Sequence, residues 1–157
     1  MSRRSVSFGL GAGLLLMTAA CQQPSPGVTL VSNGHTTHFE AQEWCTGSAT
    51  LLTGNECPGT GPSHVAILKV RDGDQVGIDV DKKLTSPGWV VYDADARENV
   101  TGIRTDSYYV LANVLFQGRP TNGIIHLEIR TVDHVPTSST DVPRVTGLWR
   151  FDLVQTT

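Results

Sequence analysis

From Val28 onward, apolar and polar residues alternate along the chain with a period of two rather than 3.6, which marks strands rather than helices. In residues 124–131 (IIHLEIRT), Ile125, Leu127 and Ile129 fall on one face, with His126, Glu128 and Arg130 on the other. Residues 75–81 (QVGIDVD) set Val76, Ile78 and Val80 against Gly77, Asp79 and Asp81. Residues 148–153 (LWRFDL) group Trp149, Phe151 and Leu153 opposite Arg150 and Asp152. Two stretches, HVAILKV at 64–70 and WVVY at 89–92, are more continuously apolar, as inner strands of a two-layer core are. A longer run, SYYVLANVLF at 107–116, and the opening pair VTLVS and HTTHFE complete the set of expected strands.

Turn chemistry falls between these runs. Asn33 and Gly34 suit a tight type I′ hairpin, because both central positions of that turn need positive φ. Asp72 and Gly73 separate the next pair, residues 117–123 the following one, and a Ser/Thr/Pro loop at 136–143 precedes the last strand. No stretch carries a capped helical stripe. About seven to nine short strands joined by hairpins predict an all-β fold, an immunoglobulin-like antiparallel β-sandwich, with a small β-barrel as the alternative.

The first twenty residues break this pattern. Arg3 and Arg4, the apolar run 8–17, and the small residues Thr18, Ala19 and Ala20 form the three parts of an export signal. The run is shorter than the roughly 20 residues needed to span a bilayer as a helix. Cys21 follows directly, which resembles the lipobox of bacterial lipoproteins, although Thr18 stands where Leu is usual. The resemblance implies cleavage before Cys21 and transfer of a diacylglyceryl group to its thiol. Ordinary cleavage with Cys21 free or paired is the competing reading. The start SRRSVSF also loosely resembles a twin-arginine signal, with Val6 in place of the usual Phe. The expected organisation is a signal peptide at 1–20, a lipidated Cys21 with a polar tether to residue 27, and a β-sandwich at 28–157.

Cleavage would leave 10 basic against 15 acidic side chains, because residues 1–20 contain Arg3 and Arg4 and no acid. A net charge of −5 without a basic patch makes nucleic acid a poor partner. The remaining residues suffice for one domain with a sizeable core. If Cys21 carries lipid, Cys45 and Cys57 are left as a pair in an oxidising compartment. A structural disulfide closing that loop would contribute about 3 kcal/mol. A zinc site would need four ligands, and a redox pair more naturally reads Cys-x-x-Cys.

Taken in order, the lipobox, VTLVSNG, the WC…CP loop, HVAILKVRDGDQVGIDV, GWVVYD, the Tyr-bearing strand, HLEIRTV and GLWRFDL resemble a family of actinobacterial secreted lipoproteins known only as a domain of unknown function. The resemblance implies envelope location and a sandwich fold, and it carries no activity or functional residue.

Candidate chemistry is sparse. His35 and His38 are the metal candidates, but three residues apart in a strand they face opposite sides; His64, His126 and His134 are scattered. The acidic stretch RDGDQVGIDVD has Val76 where a calcium loop needs an oxygen, and a turn followed by a strand explains it. A second acidic stretch with Asp93, Asp95 and Glu98 reads as a hairpin loop. No Gly-x-Ser-x-Gly elbow or Gly-rich phosphate loop is present. Trp44 beside Cys45 either stacks on the disulfide or is a binding aromatic. The expectation is a non-enzymatic binding or scaffolding module without cofactor, held to the extracytoplasmic face of the cell membrane and acting on an envelope protein or ligand. A copper- or zinc-handling lipoprotein and a cell-envelope hydrolase are the rivals.

Overall fold

A computed structural model describes residues 25–45, 64–112, 114, 116 and 123–157. The expected signal peptide, Cys21, most of the tether, Cys57 and most of the 117–123 turn lie outside the described residues.

Among the described residues, ten strands follow in chain order: β1 (Gly27–Ser32), β2 (His35–Glu40), β3 (Glu43–Trp44), β4 (Ala66–Val70), β5 (Val76–Val80), β6 (Trp89–Asp93), β7 (Glu98–Asn99), β8 (Tyr108–Leu111), β9 (Ile124–Val132) and β10 (Val145–Gln155). They form two open sheets, so the molecule is a sandwich and the barrel alternative is discarded. One sheet has the order β2-β1-β5-β8. The other runs β3-β10-β9-β6-β7, with β4 also paired to β10.

The core lies where the period of two places it. Val28, Leu30, Val76, Ile78 and Val80 come from the four-stranded sheet and are buried. Trp89, Val91, Ile125, Leu127, Ile129, Trp149, Phe151 and Leu153 meet them from the other sheet, all buried. Phe39 and Phe151 pack across the layers with ring centroids 5.9 Å apart, and Trp44 stands edge-on to Trp149 at 5.6 Å. Each such aromatic pair adds about 0.5–1.5 kcal/mol beyond the area it buries. The first hairpin is tight as expected, with Asn33 and Gly34 at φ 47° and 78°.

Three expectations need correction. The stretch 64–70 is not an inner strand: β4 occupies a sheet edge, where Leu68 and Val70 point inward and Ile67 is 56 % exposed. Its partner β10 runs parallel to it, from the Phe151–Ala66 pair to the Gln155–Val70 pair, in an otherwise antiparallel structure. The run 107–116 forms a ladder only over β8. Beyond it, Val114 and Phe116 are buried in the core while their backbone bonds the β4–β5 turn, through Gly73 N–H to the Val114 carbonyl and Phe116 N–H to Asp72 Oδ1. Buried apolar side chains can therefore belong to a backbone bonded to a turn as well as to a ladder, and hydrophobicity alone does not separate the two.

The ends of the sandwich differ in composition. The near end holds the entry to β1, the β2–β3 corner, a short 3-10 turn (Lys82–Leu84) between β5 and β6, and the β9–β10 loop at 133–144. Strand pairing fixes this grouping: Gly27 lies opposite Glu40, Val28 opposite Val80, and Trp89 opposite Thr131. The β1–β2, β4–β5 and β6–β7 turns lie at the far end.

Candidate functional site

Three groups of polar side chains stand out, and the strand register builds each of them. On the outer face of the six-stranded sheet, Arg150 of β10, Glu128 of β9 and Tyr92 of β6 are direct neighbours. Glu128 is only 9 % exposed and accepts hydrogen bonds from Arg130 Nε at 2.8 Å and Arg150 Nε at 3.2 Å. The Arg130 guanidinium also lies over the Tyr92 ring, 3.3 Å from its centroid. A carboxylate between two guanidiniums makes a structural tie across the sheet.

One register step along, His126 faces Asp152, and the Nδ1–Oδ1 distance is 2.7 Å. Asp95 accepts from the His126 backbone N–H. The hydrogen bond to Asp152 raises the His126 pKa above its ordinary value, so the pair favours the imidazolium.

The third group closes the β9–β10 loop. His134 contacts Asp133 Oδ1 through Nδ1 at 2.7 Å and Asp141 Oδ1 through Nε2 at 2.6 Å. Carboxylates only accept, so both ring nitrogens donate and the ring carries a charge. The other Asp141 oxygen accepts from Thr137 N–H, and Asp133 accepts from Arg144 N–H. The loop is thus clasped from both sides by one side chain.

The bonds to Asp141 and Asp133 raise the His134 pKa. Asp141 is lowered by the Thr137 N–H and His134. For Asp133, burial acts upward, but the Arg144 N–H and His134 outweigh it and lower the pKa. The raised histidine contributes stability that is complete below its unfolded pKa of about 6.5 and is lost as pH rises through the folded value. The lowered carboxylates contribute above their unfolded pKa of about 3.9 and lose it as pH falls through the folded values. The clasp is therefore strongest between about pH 4 and 6.5. An NMR titration of the His134 ring should give a midpoint above about 6.5; a midpoint at or below that value would contradict the doubly bonded geometry.

The residues singled out in the sequence are placed as follows. His35 is exposed at the start of β2, and His38 bonds Thr29 Oγ1 at 2.9 Å across the sheet, so the two do not converge. Trp44 is half-buried against Trp149 and the core. Cys45 is buried and disulfide-bonded, and its expected partner Cys57 lies outside the described residues, as does Cys21. The acidic stretches are turn-forming: Asp74 accepts from Arg71 N–H and Asn33, and Asp93 from the Asp95 and Ala96 N–H groups. Among the described residues, no group of three His, Cys, Asp or Glu is arranged to hold a metal ion. None of their helices is long and apolar enough to cross a membrane.

Sequence reasoning missed the clasp, the Glu128 tie and one further contact. The buried indole of Trp149 donates through Nε1 to the Pro26 carbonyl at 3.0 Å, fixing the chain just before β1. The pairing of His134 with an Asp on one side and another seven residues on, inside a proline-bounded loop, was the only sequence signal for the clasp. No protein-family model, curated protein or solved structure matches the chain.

Proposed function

We propose that the protein is an extracytoplasmic lipoprotein, anchored to the cell membrane through Cys21, whose sandwich serves as a non-enzymatic binding or scaffolding module of the envelope. The observation that supports this best is the short distance between the lipobox-like cysteine and a fixed point of the fold. Pro26 is buried and held by Trp149, and only four residues separate it from Cys21. Five extended steps reach about 17 Å, so the domain works next to the bilayer. Two acyl chains give stable anchoring where one does not. The buried, disulfide-bonded Cys45 accords with an oxidising compartment and with Cys57 as its partner.

The polar groups favour a module that binds through its surface. His126 and His134 are bonded to carboxylates, Glu128 is bonded to two arginines, and Asp74 and Asp93 cap turns, as structural groups do. Tyr108, 53 % exposed on the outer face of the four-stranded sheet beside Asp79, is a contact residue of the kind such a surface offers.

Cys21→Ala should move the protein from the membrane fraction to the soluble one or leave it unprocessed, and the native amino-terminal peptide should carry the mass of a diacylglyceryl cysteine. A mature terminus at another residue, or a variant that stays processed and membrane-bound, would refute the anchor. Cross-linking in cells from Tyr108 addresses the module: recovery of one envelope component supports it, and repeated recovery of the monomer alone removes it.

A further inference from the structure

The lipid anchor proposed above, on which this inference rests, places a bilayer beside the molecule, and the fold specifies which end meets it. We infer that the near end stands on the phospholipid surface and that the β9–β10 loop, with the Lys82–Leu84 turn at the same end, is the contacting foot.

Reach comes first. The chain is fixed at Pro26, at the near end, and Cys21 lies within about 17 Å of that point. The eleven residues of β10 run from the near end to the far end, about 37 Å at 3.4 Å per residue. The leash is about half the length of the sandwich. It holds the near end at the bilayer while the far-end turns stay away from it, unless the domain lies flat.

Surface chemistry decides against lying flat. The outer face of the six-stranded sheet presents His126, Glu128, Arg130, Arg150 and Asp152, with exposed Ile67 of the edge strand β4 opposite Asp152. The outer face of the other sheet sets exposed Val31 and Tyr108 among Thr29, Thr36, His38, Glu40 and Asp79. On both faces the apolar side chains stand among charged ones, whose desolvation would oppose burial in an acyl boundary.

The β9–β10 loop differs from both. Val142 is 77 % exposed and Val135 47 %, and residues 135–140 (VPTSST) contain no charge. The loop's carboxylates and its histidine are turned onto one another, since His134 joins Asp133 to Asp141, and the backbone N–H of Arg144 also goes to Asp133, while Arg144 itself is exposed. The clasp thereby leaves the two valines facing outward. At the same end, exposed Lys82 and Lys83 supply cations where anionic head groups would be met.

The test uses the lipidated protein, isotope-labelled, purified from membranes and reconstituted in nanodiscs of phosphatidylcholine and phosphatidylglycerol bearing nitroxide head groups. Intact mass is measured first. If Cys21 carries no acyl chains, the anchor reading fails and this inference with it. If the chains are present, amide signals of residues 82–85 and 135–142 should lose most of their intensity. Those of Asn33, Gly34, Asp72, Gly73 and residues 94–97 should be unchanged. Equal broadening at both ends, or broadening of Thr29, Asp79, Glu128 and Arg150, would overturn the orientation while leaving the anchor intact. In the double variant Val135→Asp/Val142→Asp, broadening at the loop should weaken although the acyl chains remain; unchanged broadening there would remove the loop from the contact.

Discussion

Replacing Trp149 by Ala is expected to destabilise the domain by about 3–5 kcal/mol, the range for emptying a site that held a large buried aromatic. The indole is fully buried between the layers, stands against Trp44, and bonds the Pro26 carbonyl. Against a total stability of about 5–15 kcal/mol, that loss removes a large fraction of the folded state's margin. Trp149→Phe separates packing from hydrogen bonding. It keeps most of the ring contact but leaves the Pro26 carbonyl without its donor, a loss of about 1–3 kcal/mol for a buried group. In the Phe variant, proteolytic nicking before β1 should also increase, because the chain is no longer held there. Urea unfolding of the two variants checks the order; a Trp149→Ala midpoint close to that of the parent would contradict the described core.

Gly147→Val is the second large effect. Gly147 sits where β10 shifts register after Val145, in the contact between β3, β9 and β10. A Cβ there would stand 2.6 Å from Thr131 Oγ1 and 2.7 Å from ring atoms of both Trp44 and Trp149. Those rings are packed in the core and have little room to retreat. Overpacking of this kind costs about 1–3 kcal/mol, and the valine, with two more methyl groups, should lie at or above the upper limit. Near-UV circular dichroism should change as the Trp44–Trp149 pair opens. An unperturbed tryptophan signal with parental stability would show that the glycine is not between the rings.

Much of the sandwich was legible in the sequence because each long strand buries one face and wets the other. Ile125, Leu127 and Ile129 announced β9, and Trp149, Phe151 and Leu153 announced β10, by period alone. Asn33 and Gly34 announced their turn because few other residues accept its backbone. The pattern failed where burial and pairing part company. β4 reads as an inner strand because Val65 and Ile67 are apolar, yet it sits at an edge, and only its partner's position reveals that. β3 and β7, two residues each, are too short to show a period. The histidine clasp depends on two aspartates brought together by a loop, a juxtaposition in space that spacing along the chain does not encode. The alternation rule did separate His35 from His38, as a strand requires.

The strand that ends the described chain is also the hub of its sheet. β10 borders β9 along one edge, and along the other it takes up β3 at Gly147 and Leu148 and β4 from Phe151 to Gln155. It supplies Trp149, Phe151 and Leu153 to the core as well. Residues 66 and 43 wait for partners 85 and 105 positions downstream, which are synthesised after them. The core stays open until β10 arrives, so closure is built on distant contacts, the kind of topology that folds slowly. A chain threaded through a membrane from its amino terminus would reach the far side still unfolded and close only when β10 had followed. Removing that one strand would leave Phe39 and Trp44 without their aromatic partners Phe151 and Trp149.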